Sequence, residues 1–176
     1  ELSGLSFEEY TVLDGRNSNA VEAVLNNADL IFLCGGNTLI QNKFFNSINL
    51  KKYLNNLDSV VVGISAGSIN SAKNVFNSPE SVEDLNNSPY LQGLELTGIN
   101  VEPHFDVNNL TDESKKIQMN AILSESNNRV LYGLSDGAYI IKDNSKCVIY
   151  GECYKIQNGK ITKICDDDNF IEIDDI

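Results

Sequence analysis

The chain has 176 residues, with 25 acidic and 13 basic side chains and a formal net charge of −12. Its length is typical of one domain, so we expect residues 1–176 to form a single domain, and 41% apolar residues suffice for a globular core. The negative charge argues against nucleic acid and anionic membranes as partners, because both present phosphate groups. No apolar run approaches the roughly 20 residues that cross a bilayer, so we expect a cytoplasmic protein.

The first part of the chain alternates between strand and helix patterns. Residues 10–13 have the pattern of a short strand, and apolar residues then recur at helical spacing over residues 20–28. Residues 30–34 are a continuous apolar run, which is typical of a parallel strand buried on both faces, and residues 59–63 are expected to form a second buried strand. A helical pattern over residues 39–48 separates them. This alternation predicts parallel crossovers, and hence an α/β sheet flanked by helices.

The middle of the chain continues this alternation around one long loop. It predicts a short helix over residues 68–73 and then a polar surface loop over residues 74–90, which contains two Ser-Pro pairs. A loose strand pattern over residues 94–101 follows. Thr111 is placed to cap the next helix, which precedes a further strand over residues 130–134.

Short strand patterns separated by turn residues dominate the chain after residue 137. They cover residues 138–141, 147–150, 154–156 and 161–164. Asn158-Gly159 lies between the last two and is a favoured pair for a type I′ hairpin turn. The mostly parallel sheet is therefore expected to end in antiparallel C-terminal hairpins, followed by a solvated acidic tail over residues 166–176.

Cysteine and histidine are the residues most able to bind a transition metal. The chain has one histidine, His104, and four cysteines without a Cys-x-x-Cys pair, so no structural zinc site is predicted. We expect reduced and mostly buried thiols, with a disulfide between Cys147 and Cys153 left open. The other two cysteines are Cys34 and Cys165.

Gly63-Ile-Ser65-Ala-Gly67 matches the G-x-S-x-G nucleophile elbow. It follows an apolar strand and precedes a helix, which is the setting that an elbow requires. The glycines permit a tight turn that lifts the serine hydroxyl clear of the sheet. The alternative is an ordinary strand-to-helix turn made of small residues. Motif and context together favour Ser65 as a nucleophile.

A serine hydroxyl needs a base to become nucleophilic at neutral pH. His104 is the sole histidine and follows a predicted strand end, so it is the one imidazole base available, with lysine as the other kind of base. A carboxylate should fix the imidazole tautomer. It could precede the histidine, as Glu80, Glu83 or Asp84, or follow it, as Asp136. The sequence order leaves both possibilities open.

Gly35-Gly36 ends the strand that is expected beside the elbow strand. Two glycines there allow a backbone N–H to approach a reacting carbonyl, and Gly36 with the N–H of Ala66 could form an oxyanion hole. A phosphate-binding loop is the competing interpretation. It is weak, because neither G-x-G-x-x-G nor G-x-x-x-x-G-K-[ST] occurs.

Four motifs stand in a definite order: Leu33-Cys-Gly-Gly-Asn-Thr38, Gly63-Ile-Ser-Ala-Gly67, Pro103-His104 and Gly133-Leu-Ser-Asp-Gly137. Together they resemble the peptidase E (aspartyl dipeptidase) family of serine peptidases, to which cyanophycinase is related. The resemblance implies a class I glutamine amidotransferase-like α/β fold with serine in place of the usual nucleophilic cysteine. It also implies a strand–helix–strand unit before residue 10, which we expect to be missing here.

The resemblance implies Ser65 as nucleophile, His104 as base and Asp136 as the acid that orients the imidazole, with Glu80 as the fallback acid. Asp136 replaces the Glu often found in that motif, and either carboxylate can bond an imidazole. Lys115 stands where aspartyl dipeptidases use an arginine for the substrate's side-chain carboxylate. Lysine carries a point charge and cannot form the two parallel hydrogen bonds that arginine makes to a carboxylate. Specificity for N-terminal Asp is therefore not implied.

The sequence thus predicts a cytosolic serine peptidase, an exopeptidase for short peptides that uses no metal or organic cofactor. A homodimer is compatible with this prediction. Two alternatives stay open. One is a non-peptidase serine hydrolase, an esterase or amidase, for which the acid would precede His104. The other is a catalytically inactive binding domain on the same scaffold.

Overall fold

The structure is a computed structural model of the chain. It describes residue 4 and residues 6–55, 57–108, 112–144 and 146–174. Thr111, the predicted helix cap, and residues 175–176 at the end of the predicted acidic tail lie outside the described residues.

The described residues form five α-helices and eleven β-strands. The helices are α1 (Val21–Leu25), α2 (Thr38–Ser47), α3 (Leu50–Leu54), α4 (Ala66–Ser71) and α5 (Glu113–Glu125). The strands are β1 (Leu30–Leu33), β2 (Val60–Gly63), β3 (Asn74–Phe76), β4 (Tyr90–Gln92), β5 (Asn100–Pro103), β6 (Leu131–Leu134), β7 (Tyr139–Asp143), β8 (Lys146–Tyr150), β9 (Cys153–Gln157), β10 (Lys160–Cys165) and β11 (Phe170–Asp174). The chain is therefore a mixed α/β protein.

The described strands pair in four sheets. Two of them have two strands each, β1-β2 and β3-β4, and the others have the orders β10-β9-β6-β5 and β11-β8-β7. Two strand pairs are parallel, β1 with β2 and β5 with β6, and the other five within the described ranges are antiparallel. The described part of the chain is thus less parallel than predicted. After β6 the chain reverses through short turns, and strands joined in this way pair antiparallel.

The parallel pair of β1 and β2 places two turns side by side. Leu33 pairs with Gly63, so both strands end level and the turns that follow leave the sheet at one edge. One face of this pair is open, because Phe32 is 47% and Val60 63% exposed. The prediction that these strands are buried on both faces is therefore wrong.

The second parallel pair, β5 with β6, also brings the residues that follow its two strands to one edge of a sheet. Pro103 pairs with Leu134 at the carboxyl ends of the two strands. His104 and Asp136 follow these strand ends in the sequence, so they emerge at the same edge of the four-stranded sheet. The carboxyl edges of the two parallel pairs thus hold the turns that carry Gly36, Ser65, His104 and Asp136.

Four predicted elements differ from the structure. The strand predicted over residues 94–101 forms only from Asn100 onward, as β5. Residues 10–13 form no strand, and Tyr10 is largely exposed. Residues 74–90, predicted as a surface loop, begin with β3, whose Val75 and Phe76 are buried in apolar contacts. The predicted acidic tail contains β11, which pairs with β8. β3 pairs with β4 at the other end of the same segment, and β11 returns to pair with β8. In both cases a few apolar residues within a polar segment find a partner strand that no local pattern indicates.

The antiparallel C-terminal hairpins are confirmed. β9 and β10 pair around Asn158 and Gly159, whose φ values of 54° and 70° are those of the predicted type I′ turn. β7 and β8 form a second hairpin. None of the helices built from described residues combines the length and apolar character needed to cross a bilayer.

Candidate active site

Ser65 lies on a strained turn between β2 and α4. Its φ of 51° and ψ of −114° fall in a region that L-residues rarely adopt. The flanking glycines are required by close packing: a Cβ on Gly63 would lie 2.8 Å from the backbone of Ser68, and one on Gly67 would lie 1.9 Å from the carbonyl oxygen of Leu33. A strained serine between two closely packed glycines at a strand end is what the predicted nucleophile elbow requires.

His104 is held next to Ser65 by the end of β5. Its own φ is 56°, again in the left-handed region. The following residue, Phe105, is buried and packs so closely against Gly133 that a Cβ there would lie 2.5 Å from the Phe105 ring. The anchored Phe105 and the turned backbone together direct the imidazole toward the elbow.

Three side chains form a hydrogen-bonded series at this edge. The Nε2 of His104 lies 3.2 Å from the Oγ of Ser65, and its Nδ1 lies 2.5 Å from the Oδ1 of Asp136. With the imidazole proton on Nδ1, the ring donates to the carboxylate and Nε2 accepts from the serine hydroxyl. Such an arrangement can remove the serine proton and stabilise the resulting imidazolium.

The series is open to solvent. The side chains of His104 and Asp136 are 62% and 82% exposed, whereas Ser65 is half-buried. Water therefore screens the charge of the carboxylate on its outer side. A substrate that covers the imidazole would strengthen its interaction with Asp136 by displacing this water.

The glycine turn after β1 lies against the serine. A Cβ on Gly35 would be 3.4 Å from the Cβ of Ser65. Gly36, with a φ of 135°, follows immediately. Among the described residues, no acceptor bonds the backbone amide of Gly36 or of Ala66. Both amides can therefore donate to another oxygen near the serine.

A cavity of about 200 Å³ adjoins this turn. It is lined by Gly36 and the start of α2 on one side and by the segment from Phe76 to Pro89 on the other. Glu80 lines it, and its backbone N–H donates to the carboxylate of Asp84, which also accepts from the hydroxyl of Ser81. The carboxylate hydrogen-bonded to His104 is that of Asp136, and not that of the fallback acid Glu80.

Lys115 lies in the first turns of α5 and lines a second, smaller cavity of about 30 Å³ together with His104. The side chain of Asp112 caps this helix by accepting from the backbone N–H of Lys115. The Nζ of Lys115 donates to the Oε1 of Gln118 at 3.3 Å. The structure therefore places the predicted substrate-binding lysine in the lining of the same small cavity as His104.

Glu102 also lines the smaller cavity, and sequence reasoning missed it. It is 3% exposed, and its Oε2 accepts from the hydroxyl of Ser78 at 2.9 Å. Burial raises the pKa of Glu102 to about 8, the Ser78 hydrogen bond lowers it, and the negative Glu80 raises it further. The available signal was a lone acidic residue inside an apolar strand pattern, two positions before the histidine.

The described residues contain no group of three or more potential ligands that could hold a metal ion. All four cysteines are free, with Cys34 exposed and the other three buried. Burial raises the pKa of Cys153 to about 12, and the nearby Cys165 adds to this. The prediction of mostly buried thiols is confirmed, and its raised pKa makes Cys153 a poor nucleophile at neutral pH.

An elbow serine hydrogen-bonded to an imidazole that in turn meets a carboxylate is the geometry that serine hydrolases share. Residues 4–150 match the model of peptidase family S51. This match covers most of the chain, so the chain belongs to peptidase family S51, the peptidase E family of serine peptidases. The family resemblance carried by the four sequence motifs is confirmed.

Comparison with solved structures finds a crystal structure from Listeria monocytogenes EGD-e that is provisionally assigned to peptidase E. It shares 17% sequence identity with this chain, and the TM-score is 0.49. The alignment covers 83% of this chain and 64% of the Listeria chain, so this chain spans less than two thirds of the length of that relative. The comparison with curated proteins finds no match.

Proposed function

We propose that the protein is a serine peptidase that hydrolyses short peptides through Ser65, His104 and Asp136. The observation that carries this proposal is the pair of contacts made by one imidazole, 3.2 Å to the serine Oγ and 2.5 Å to the carboxylate. Membership of peptidase family S51 supports a peptide as the substrate.

The reaction proceeds by acyl transfer. His104 takes the proton of Ser65 as the Oγ attacks the scissile carbonyl carbon, and Asp136 stabilises the imidazolium that forms. The imidazolium then protonates the leaving amine as the C–N bond breaks. Water, deprotonated by the same imidazole, then attacks the acyl carbon. The imidazolium returns its proton to the Oγ of Ser65 as the ester C–O bond breaks, which releases the acid and restores the enzyme. This sequence of steps needs no metal ion and no organic cofactor.

The backbone amides of Gly36 and Ala66 are proposed to hold the tetrahedral oxyanion. Both belong to turns that meet at Ser65, and both are free to donate to a substrate oxygen. Fixed N–H donors aimed at the developing charge are worth about 3–4 kcal/mol each in related chemistry. The strained backbone at Ser65 fits this role, because it fixes the hydroxyl and the Ala66 amide in one orientation.

The adjoining cavity supports a short substrate. Its volume of about 200 Å³ lies below the roughly 300–1,000 Å³ of typical small-molecule sites, so it fits about one residue of a peptide. Lys115, which lines the smaller cavity together with His104, offers a positive charge for a substrate carboxylate. We therefore propose an exopeptidase, most simply a dipeptidase, that acts in the cytoplasm, and we leave a homodimer as a compatible state.

The test is turnover of a dipeptide panel by the full chain. We expect hydrolysis of some members, and a loss of about 10³-fold or more in kcat in Ser65→Ala. Ser71→Ala is the matched control: Ser71 lies on the same helix, and its hydroxyl bonds the carbonyl of Gly67 rather than the imidazole. No turnover by the wild-type chain, or equal turnover in Ser65→Ala, would contradict the proposal.

A further inference from the structure

Glu102 is a buried carboxyl group that the proposed reaction does not use. It lies on β5 two residues before His104, and both residues line the small cavity of about 30 Å³. Its side chain is almost entirely buried, which is rare for glutamate unless the group is paired. No donor among the described residues reaches its Oε1. One buried oxygen of Glu102 is therefore hydrogen-bonded and the other has no partner in the described part of the chain, which is rare for buried polar groups in folded proteins.

Glu102 is the end of a directed series of hydrogen bonds. The Nζ of Lys115 donates to the Oε1 of Gln118, and the Nε2 of Gln118 donates to the Oγ of Ser78 at 3.1 Å. The hydroxyl of Ser78 in turn donates its single proton to the Oε2 of Glu102 at 2.9 Å. The series joins three elements around the candidate site: helix α5, the wall of the larger cavity at Ser78, and strand β5.

The surroundings of Glu102 favour its neutral form. Among the described residues, the charged and titratable groups near it are Glu80, whose charge acts on it, and three that line the same small cavity: Lys115 from α5, and His104 and Asp106 from the segment after β5. An ionised carboxylate needs donors on both oxygens, and Ser78 supplies one. Burial without further donors opposes the charge. With a pKa of about 8, the group keeps its proton at neutral pH.

We infer that Glu102 is a positioning residue that acts in its protonated form, holding Ser78 and α5 in place so that the larger cavity keeps its shape beside the turn at Gly36. Ionisation of Glu102 would put a second negative charge near Glu80, without a donor for Oε1. The cavity wall would then move to bring water to the carboxylate. The substrate part of this inference rests on the proposed peptidase function, whereas the structural part does not.

The structural part is tested by following backbone amide signals by NMR from pH 6 to pH 9.5. In the wild-type chain, we expect the signals of Ser78, Glu80 and Gln118 to shift together with one midpoint near pH 8. In Glu102→Gln, which matches the neutral acid in shape, this common transition should be absent. The inference is overturned if Glu102→Gln keeps the same transition, or if the three signals do not move together in the wild type.

The substrate part is tested by the pH dependence of KM for a hydrolysed dipeptide. A wall that moves on ionisation should raise KM about tenfold between pH 7 and pH 9 with kcat little changed, because the neutral fraction falls about tenfold per pH unit above the pKa. Glu102→Gln should remove this rise, and Ser78→Ala should raise KM already at pH 7. An alkaline rise in KM that survives in Glu102→Gln would overturn this part.

Glu125→Gln is the matched control for removing a buried carboxyl group. Glu125 is 4% exposed and lies at the far end of α5, where it pairs with Arg129 and accepts from Tyr90. This variant should keep both the amide transition and the KM profile of the wild type. If no peptide is hydrolysed at any pH, the proposed function fails, and the amide signals still decide whether Glu102 holds the cavity wall.

Discussion

Asp136 and Glu80 are the two residues between which the sequence could not choose an orienting acid. The choice matters because one order of residues is that of α/β-hydrolases and the other is that of the resembled family. In the structure, Asp136 is hydrogen-bonded to His104, and Glu80 lies on the wall of the larger cavity. The side chain of Asp136 reaches the imidazole because β5 and β6 are parallel and end at the same level.

Replacing this carboxylate tests its role. Asp136→Asn should lower kcat by about 10³–10⁴-fold, because the amide no longer stabilises the imidazolium or fixes the proton on Nδ1. Glu80→Gln is the control and should leave kcat close to the wild-type value. Steady-state kinetics on one hydrolysed dipeptide distinguishes the two variants. The reverse result, a large loss in Glu80→Gln alone, would favour the alternative of a non-peptidase serine hydrolase.

The buried Glu102 should also be visible in the pH dependence of folding. The pKa of Glu102 is raised by burial from about 4.5 to about 8 in the folded state, so between these pH values the unfolded chain releases a proton that the folded chain keeps. The free energy of unfolding of the wild type therefore falls as pH rises from 5 to 8.

Glu102→Gln removes this dependence. The variant should gain stability relative to the wild type by up to about 4 kcal/mol between pH 5 and pH 8, at about 1.4 kcal/mol per unit of pKa shift. Denaturant unfolding at several pH values measures it. Glu22→Gln, a change on the exposed face of α1, serves as control and should follow the wild type. A constant difference between Glu102→Gln and the wild type across this range would contradict the expectation.

The elbow between β2 and α4 is the element on which the site depends most. Gly67 packs with its Cα against the end of β1, where a Cβ would lie 1.9 Å from the carbonyl oxygen of Leu33. Gly67→Ala should therefore destabilise the fold by about 3 kcal/mol or more, because backbone on both sides must shift. Gly15→Ala is the control, since a Cβ there meets nothing within 4 Å. Thermal unfolding of both variants tests this, and equal melting temperatures would contradict it.

The elements that the sequence predicted well are those whose signal is local. An apolar run that stops at a G-x-S-x-G motif predicts both the end of β2 and the turn at Ser65, and Asn158-Gly159 predicts its hairpin. The cavity wall at Ser78 and the burial of Glu102 were not predictable in this way. They depend on a contact between residues 24 positions apart, and no local pattern specifies such packing.

Strand β11 is a case in which a usable signal was present. Phe170-Ile-Glu-Ile-Asp174 alternates apolar and acidic residues, which is the pattern of a strand with one buried face. The many carboxylates around it favoured a solvated tail instead. In the structure, Ile171 and Ile173 pack on the apolar cluster formed around β8, so the end of the chain completes the core.

At the scale of the whole molecule, this packing predicts that β11 contributes to stability. The double substitution Ile171→Ala and Ile173→Ala should lower the free energy of unfolding by about 2–3 kcal/mol, since both half-buried side chains lose contact with the core. Glu172→Ala, on the opposite and exposed face, should have little effect. Urea unfolding of the double variant and of Glu172→Ala measures both effects. A double variant as stable as the wild type would show that this strand does not pack on the apolar cluster around β8.

The proposed mechanism requires that Ser65 is an activated nucleophile in an open site. Reaction of the full chain with a fluorophosphonate, followed by mass spectrometry, tests this most directly, because the reagent needs no knowledge of the substrate. We predict one adduct per chain, mapped to Ser65, with a labelling rate that falls by orders of magnitude in His104→Ala. No adduct on Ser65, or labelling at an undiminished rate in His104→Ala, would contradict the proposal that His104 activates Ser65.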